Sequence, residues 1–531
     1  MKLSKCTAAG LGAAALALLS GAAAPAAQAQ VSDNVVFAAA GSSALFNVFN
    51  QAAKSVVATS GSPNSITVNG GAFVVDHVDA NGPAGSNEKG NIFIVWNSLP
   101  GDSNGSPSGT RNIYFYLAVD STVGDRAFFK RDTALLGSSS SFPGVPTDVY
   151  NAVNGATFNT AATDIRPEDA LVATQRAYGF GYSTLNPIKD GAGQQATPVA
   201  FAISARSNVT TSVGASPIVV FVNKSTTYGT TPARLANVSD VSSTILSKTL
   251  DGTLASNTRF LTATGTGLNL TLATSFSPLS VFIREPLSGT YNTMEFCEPH
   301  SQQFNTTQEL NVDSTPNSAG GSQNPLNDPG LALSASPADM VNDGGASQNG
   351  GGGRVRAIGT GALVRGVNST ANAIGYAFYS VGNFSSAGNS KYITVDGVDP
   401  LVTSYTDGSF PASGAANFAH VADGTYRIWS VLRVVTENPE PPAIASLVGN
   451  AVSQNGGGDF IAPSNLKVFR SHRAVAVSAT GPDGGKISGV VPQPSNGRNG
   501  EPTEAGSDVG GTIYSDQLET ANGAQLTNTR L

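Results

Sequence analysis

Twice in this sequence an apolar, strand-like run passes through a few Ser and Gly residues into a helical stretch. Val35-Val36-Phe37-Ala38-Ala39 leads through Gly41-Ser42-Ser43 into apolar residues at helical spacing over 45–57. Far downstream, Val281-Phe282-Ile283-Arg284 leads through Ser288-Gly289-Thr290 into another helix. A strand, a tight polar turn and a helix in succession make up a βα unit, and such units stack into parallel sheets covered by helices. Further strands are expected over 91–96, 112–119, 198–204, 217–223, 279–284, 373–379 and 425–435, and helices over 239–247 and 442–452. The fold class expected is α/β, in two lobes, with long Gly-, Asn- and Ser-rich insertions.

Composition sets the outer limits. Only 12% of the 531 residues are charged, about half the usual share. The 40% apolar content, with 24 Phe and 13 Tyr, builds large cores and argues against wholesale disorder. Lys and Arg are few and scattered, so no basic face suits nucleic acid. Cys6 and Cys297 are the two cysteines, and neither sits in a CxxC or Cys/His cluster that would hold a metal. Cys297, Trp96 and Trp429 read as core residues.

The first 29 residues read as an export signal. Lys2 and Lys5 precede an apolar stretch over 11–19, and Ala27-Gln28-Ala29 offers small residues for cleavage before Gln30. The apolar stretch is too short to span a membrane, and Cys6 precedes it, where no lipobox cysteine lies. Removal of this segment takes away two lysines and no acid, moving the formal charge from −7 to −9. The expectation is a protein without a lipid anchor, periplasmic or extracellular, and monomeric. Its organisation reads as a first lobe over 30–205 with an insertion near 72–160, and a second lobe over 206–389 with a flexible excursion near 311–353. A return to the first lobe follows over 390–480, then a polar tail over 481–531.

The chemistry concentrates where strands meet helices. Arg284 arrives at a strand end, and four residues later Ser288-Gly289-Thr290 opens a helix. Free N–H groups and the positive end of the helix dipole attract an anion there. The two hydroxyls donate, Gly289 admits close approach, and Arg284 adds a planar charged fork. The same residues also read as an ordinary N-cap beside a surface arginine. Gly41-Ser42-Ser43-Ala44 repeats the pattern. Thr163-Asp164-Ile165-Arg166-Pro167 reads either as a solvated acidic helix start or as a carboxylate beside the anion. In the second reading Asp164 accepts a hydrogen bond from an oxyanion that keeps a proton, and repels one that has none.

These segments resemble the periplasmic phosphate-binding proteins of high-affinity ABC transporters, within the two-lobed substrate-binding superfamily. Arg284 with Ser288-Gly289-Thr290 matches the Arg-x-x-x-Ser-Gly-Thr signature. Ala162-Thr163-Asp164 is similar to the family's small-Ser/Thr-Asp segment, 40–46 to its first phosphate loop, and Ala373-Ile374-Gly375-Tyr376 to its "Ala-Ile-Gly-Tyr" strand. The resemblance implies a cleft between two lobes where Ser42, Ser43, Ala44, Asp164, Arg284, Ser288, Gly289 and Thr290 contact phosphate. It also implies a membrane permease as partner and no cofactor, metal or catalytic residue. The family's second glycine-serine loop has no clear equivalent; about a hundred residues stand in its place, including Asp76-His77-Val78-Asp79 and Asp120-Ser121-Thr122. Ser121 and Thr122 read as substitute hydroxyls or as a strand end.

Other chemistries find less support. His77, His300, His420 and His472 lack the spacing of metal ligands. The sequence has no Gly-x-Ser-x-Gly elbow, and the glycines at 350–353 are not followed by the Lys-Ser/Thr of a P-loop. The chain is therefore expected to be a binding protein, and not an enzyme. The alternative is a surface or structural protein that kept this fold without transport.

Overall fold

The computed structural model describes residues 31–59, 61–75, 88–102, 108–167, 169–170, 173, 201–224, 235–250, 279–284, 287–298, 340–342, 354–357, 359–454, 458–462 and 465–466. The export signal, the polar tail, most of the 311–353 excursion, 76–79 and three of the four histidines lie outside them.

One half of the molecule is built on β1 (Val31–Ser42), β2 (Pro63–Val75), β3 (Glu88–Asn97), β4 (Gly109–Val119), β5 (Thr133–Leu136) and β6 (Thr160–Thr163), with helices α1 (Phe46–Ala58), α2 (Ser121–Lys130) and α3 (Thr147–Val153). Next come β7 (Asn208–Asn223), β8 (Asp240–Val241), α4 (Ser243–Leu250), β9 (Ser280–Arg284), α5 (Gly289–Cys297), β10 (Met340–Asn342), β11 (Arg354–Ala357), α6 (Thr360–Ser369), β12 (Ala373–Phe378) and β13 (Ser390–Val395). The chain then returns through β14 (Trp429–Glu437) and α7 (Pro442–Gln454). The strand order is β10-β11-β9-β12-β7-β14-β6-β1-β4-β3-β2-β5.

The long strand β7 belongs to both halves. From Asn208 to Pro217 it pairs with β14, and from Ile218 onward with β12 and β13. This is the two-lobed α/β arrangement expected, but the sheets are mixed. β1 runs parallel to β4 and β6, and β9 parallel to β11 and β12. β2, β3, β5, β7 and β14 add antiparallel pairs. β1 and β4 are parallel with α1 between them in the chain, whereas β2 and β3, twelve residues apart, pair antiparallel.

Burial explains why the parallel strands were legible. The inner half of β1 is buried on both faces, so it reads as an unbroken run of small and apolar residues. Its Phe37 stacks on Phe49 of α1 with ring centroids 5.2 Å apart, and Phe46 meets Phe93 edge-on at the same spacing. Each such ring contributes roughly 1.5–3 kcal/mol by leaving water. Trp96, Trp429 and Cys297 lie in the core, as their sequence context implied.

Several expected elements end elsewhere. Over 201–205 there is no strand but a 3-10 turn, Ile203–Ala205. The helix expected over 239–247 starts only at Ser243, because the Ser242 hydroxyl accepts the Ile245 N–H and β8 occupies the residues before it. The strand expected from 425 begins at Trp429, since the Asp423 carboxylate captures the Thr425 N–H and holds a turn. β2 escaped notice because its outer part alternates between exposed and half-buried residues among Asn and Gly.

Candidate functional site

Four strands end within reach of one another, and each hands the chain to a helical start. β1 delivers Ser42 and Ser43, β4 delivers Asp120 to α2, β6 delivers Asp164, and β9 delivers Arg284 and then α5. Ligand clefts of α/β proteins form at such carboxyl ends, where helix N-termini expose their first N–H groups.

Arg284 is the hub. It is 2% exposed. Its Nη2 donates to Asp120 Oδ1 at 2.8 Å, and its Nη1 donates to Thr360 Oγ1 at 3.0 Å and Thr290 Oγ1 at 3.4 Å. The Arg284 backbone N–H donates to the Tyr376 hydroxyl at 3.3 Å, tying the strand end to its neighbour in the sheet. Asp120 and Arg284 come from opposite halves of the molecule.

Asp164 lies across from the start of α5. Its Oδ1 accepts from the Ser121 hydroxyl, while its own backbone N–H donates back to Ser121 Oγ at 3.4 Å. The Ser430 hydroxyl donates to the Asp164 carbonyl at 2.6 Å, anchoring the turn from behind. Gly289 faces this pair: a Cβ there would fall 1.7 Å from Asp164 Oδ1 and 2.6 Å from Ser121 Oγ. Only glycine lets the two halves touch at this point. Burial and the nearby Asp164 charge also hold the Tyr116 phenol well above its ordinary pKa, so it stays a donor, to the Ser42 carbonyl.

The first turn is shaped by its own hydroxyls. Gly41 has φ of 139°, and a side chain there would run into the Ala162 carbonyl. Ser42 Oγ accepts the Ala44 N–H at 3.2 Å, so both residues serve the helix start. Ser43 Oγ donates to Thr360 Oγ1 at 2.7 Å, joining the halves. Ser288 acts as the N-cap of α5, accepting the Tyr291 N–H at 3.5 Å. That capping bond uses a lone pair and leaves the hydroxyl proton for another acceptor.

The expected residues thus gather in one place: Ser42, Ser43 and Ala44, Asp164, Arg284, and Ser288-Gly289-Thr290. Asp120-Ser121-Thr122 opens α2 and is not a strand end. Thr360 was missed. Its signal was the same as elsewhere, since Arg354-Val355-Arg356-Ala357 precedes Gly359-Thr360-Gly361 and a helix. Thr360 Oγ1 accepts twice, from Ser43 and Arg284, which directs its own proton outward as a donor.

Three helix N-termini, those of α2, α5 and α6, meet around one guanidinium and two carboxylates. Each contributes about half a unit of positive charge. Fixed N–H groups, hydroxyls and an arginine fork are the groups that can hold a small oxyanion, and a carboxylate beside them can accept a hydrogen bond from one that carries a proton.

No family model matches the chain, and no curated protein matches it. Solved structures similar to it include a provisionally assigned phosphate ABC transporter substrate-binding protein from Clostridium perfringens, crystallised with bound phosphate. That match has 11% identity and a TM-score of 0.34, covering 80% of this chain and 95% of that one. An ABC-type phosphate transport receptor from Vibrio cholerae matches at 10% identity and a TM-score of 0.31, over 81% and 99% of the two chains. A phosphate-binding protein from Stenotrophomonas maltophilia matches at 16% identity and a TM-score of 0.31, over 66% and 84%. All three are described as phosphate-binding or phosphate-transport proteins.

Proposed function

We propose that this chain captures inorganic phosphate, or a tetrahedral oxyanion like it, between its two halves and presents it to an ABC-type membrane permease after export. The observation that carries the reading is the buried Arg284 guanidinium, aimed at the Thr290 and Thr360 hydroxyls where two helices begin. Closing the halves removes water from this site and strengthens each charge-assisted bond to the anion. Asp164 supplies the acceptor for an anion proton, which sulfate lacks near neutral pH. Export and the permease rest on the leader-like first 29 residues and on the family resemblance. Among the described residues no helix is long and apolar enough to cross a membrane.

Calorimetric titration of the refolded, anion-free protein with phosphate, sulfate and arsenate tests the reading. Tight phosphate binding with sulfate excluded is the expected result. A second reading, a surface protein that kept the fold and lost the ligand, draws support from the Asp120 carboxylate already resting on Arg284. Absence of heat with every oxyanion would favour it.

A further inference from the structure

Where β7 crosses between the halves, three side chains meet outside the anion site. After β12 the second half turns through Ser380-Val381-Gly382. From one side Asn47, in the first turn of α1, donates from Nδ2 to Ser380 Oγ at 3.1 Å. It presses so close that a Cβ on Gly382 would fall 2.1 Å from Asn47 Nδ2. From the other side Asp459 Oδ1 accepts the Val381 N–H at 2.7 Å, and its carboxylate accepts a hydrogen bond from the Ser380 hydroxyl. Asp459 belongs with the first half. Beside it Phe460 packs on Gly214, and Ile461 exchanges two backbone hydrogen bonds with Ala215, in the stretch of β7 that pairs with β14. Ser380 is fully buried and Asp459 nearly so.

We infer that Asn47 and Asp459 are positioning residues: they clasp the Ser380–Gly382 turn, hold the halves closed from behind the site, and couple closure to a proton on Asp459. The inference rests on the oxyanion reading above. When the halves part, the turn withdraws, and Asp459 loses both donors and its cover together. In the clasp, burial pushes its pKa up to about 6, which the two hydrogen bonds only partly counter. In water a carboxyl returns toward 3.8. The closed form therefore holds the proton more tightly, so acid favours closure and that advantage is lost as pH rises through about 6. Among the described residues no charge sits against the carboxylate. β7, α7, the turn over 380–385 and the loop over 411–418 that meets Gly458 contain none, and Lys54 on α1 lies about two turns beyond Asn47. Tyr379 is the titratable neighbour. Burial and the Asp459 charge push its pKa up, so it stays a phenol and donates to the Pro411 carbonyl at 3.2 Å.

The test is calorimetric titration of the full chain with phosphate between pH 5 and pH 8, for wild type and Asp459→Asn. Phosphate's own protonation acts on both alike, so the ratio of their affinities isolates Asp459. That ratio, wild type over variant, should fall about tenfold from pH 5 to pH 8, most of it below about pH 6. A constant ratio, with wild type binding phosphate, overturns the inference and leaves the oxyanion reading standing. Wild type that binds no oxyanion overturns that reading and the inference with it. Should Asp459→Asn not fold, Ser380→Ala takes its place. It removes one donor, so Asp459 holds its proton still more tightly when closed, and this variant's affinity relative to wild type should fall as pH rises through about 6. A flat profile there also overturns the inference. If circular dichroism shows both variants unfolded, the clasp serves the fold and its coupling to closure fails.

Discussion

Two buried carboxylates reach between the halves of this molecule, and they meet different partners: a guanidinium for one, a backbone N–H and a hydroxyl for the other. In the cleft, Asp120 meets a guanidinium at 2.8 Å. At the hinge, Asp459 sits beside the point where β7 passes from one half to the other. It accepts the Val381 N–H at 2.7 Å, with the Ser380 hydroxyl as a second neutral partner. Burial pushes the Asp459 pKa up to about 6, and those two hydrogen bonds only partly counter it. A buried carboxylate is drawn toward its neutral form where only dipoles share its site, as at Asp459. The cleft is therefore an electrostatic device and the hinge a pH-sensitive one.

The largest effect should come from breaking the cleft side. Arg284→Ala leaves Asp120 buried without its cation, at a cost of about 3–5 kcal/mol in urea unfolding, and removes detectable phosphate binding. Arg284→Lys should not restore it, because an ammonium cannot reproduce the planar fork. If the alanine variant bound phosphate as tightly as wild type, the site would be misplaced. Gly289→Ala comes next. Its Cβ would lie 1.7 Å from Asp164 Oδ1 and 2.4 Å from Cγ, so the halves must part locally. Overpacking of this kind costs about 1–3 kcal/mol, and phosphate affinity should fall roughly a hundredfold by titration.

The hinge is probed by Asp459→Asn. The folded-state pKa of about 6 lies above the ordinary 3.8, so between those values the native state binds the extra proton. Stability from this group is then present at low pH and lost as pH rises through about 6. Over the whole range the loss is about 3 kcal/mol, and the Asn variant should lack it. Denaturation at pH 5 and pH 8 gives the answer: equal pH slopes for wild type and variant would mean that Asp459 is not the titrating group. The smallest effect should follow Thr360→Val, which removes the shared acceptor of Ser43 and Arg284. It should weaken phosphate binding by about 1 kcal/mol, with Thr360→Ser close to wild type.

Arg284 and Ser288-Gly289-Thr290 were legible because cap, turn and strand end lie within seven consecutive residues. Asp164 was legible as a candidate but its partner was not, since Ser121 is 43 positions away. Ser121 itself read ambiguously because a strand end and a helix start share the same hydroxyl-rich composition. Thr360 had the right local pattern, but its strand β11 is only four residues long and follows a run of glycines, too short for periodicity to show. Asp459 offered no signal at all, as its shift comes from burial.

The residues alone specify the junctions: apolar spacing, caps and small turn residues act between neighbours, and neighbours are what a sequence lists. Which junctions meet is decided by strand order and by the crossing of β7 between halves. That order brings Asp120 to Arg284 over 164 positions and Ser43 to Thr360 over 317. Charge partnership and burial depend on distance in space, so the Asp120–Arg284 pair and the raised pKa of Asp459 exist only once the two halves are packed.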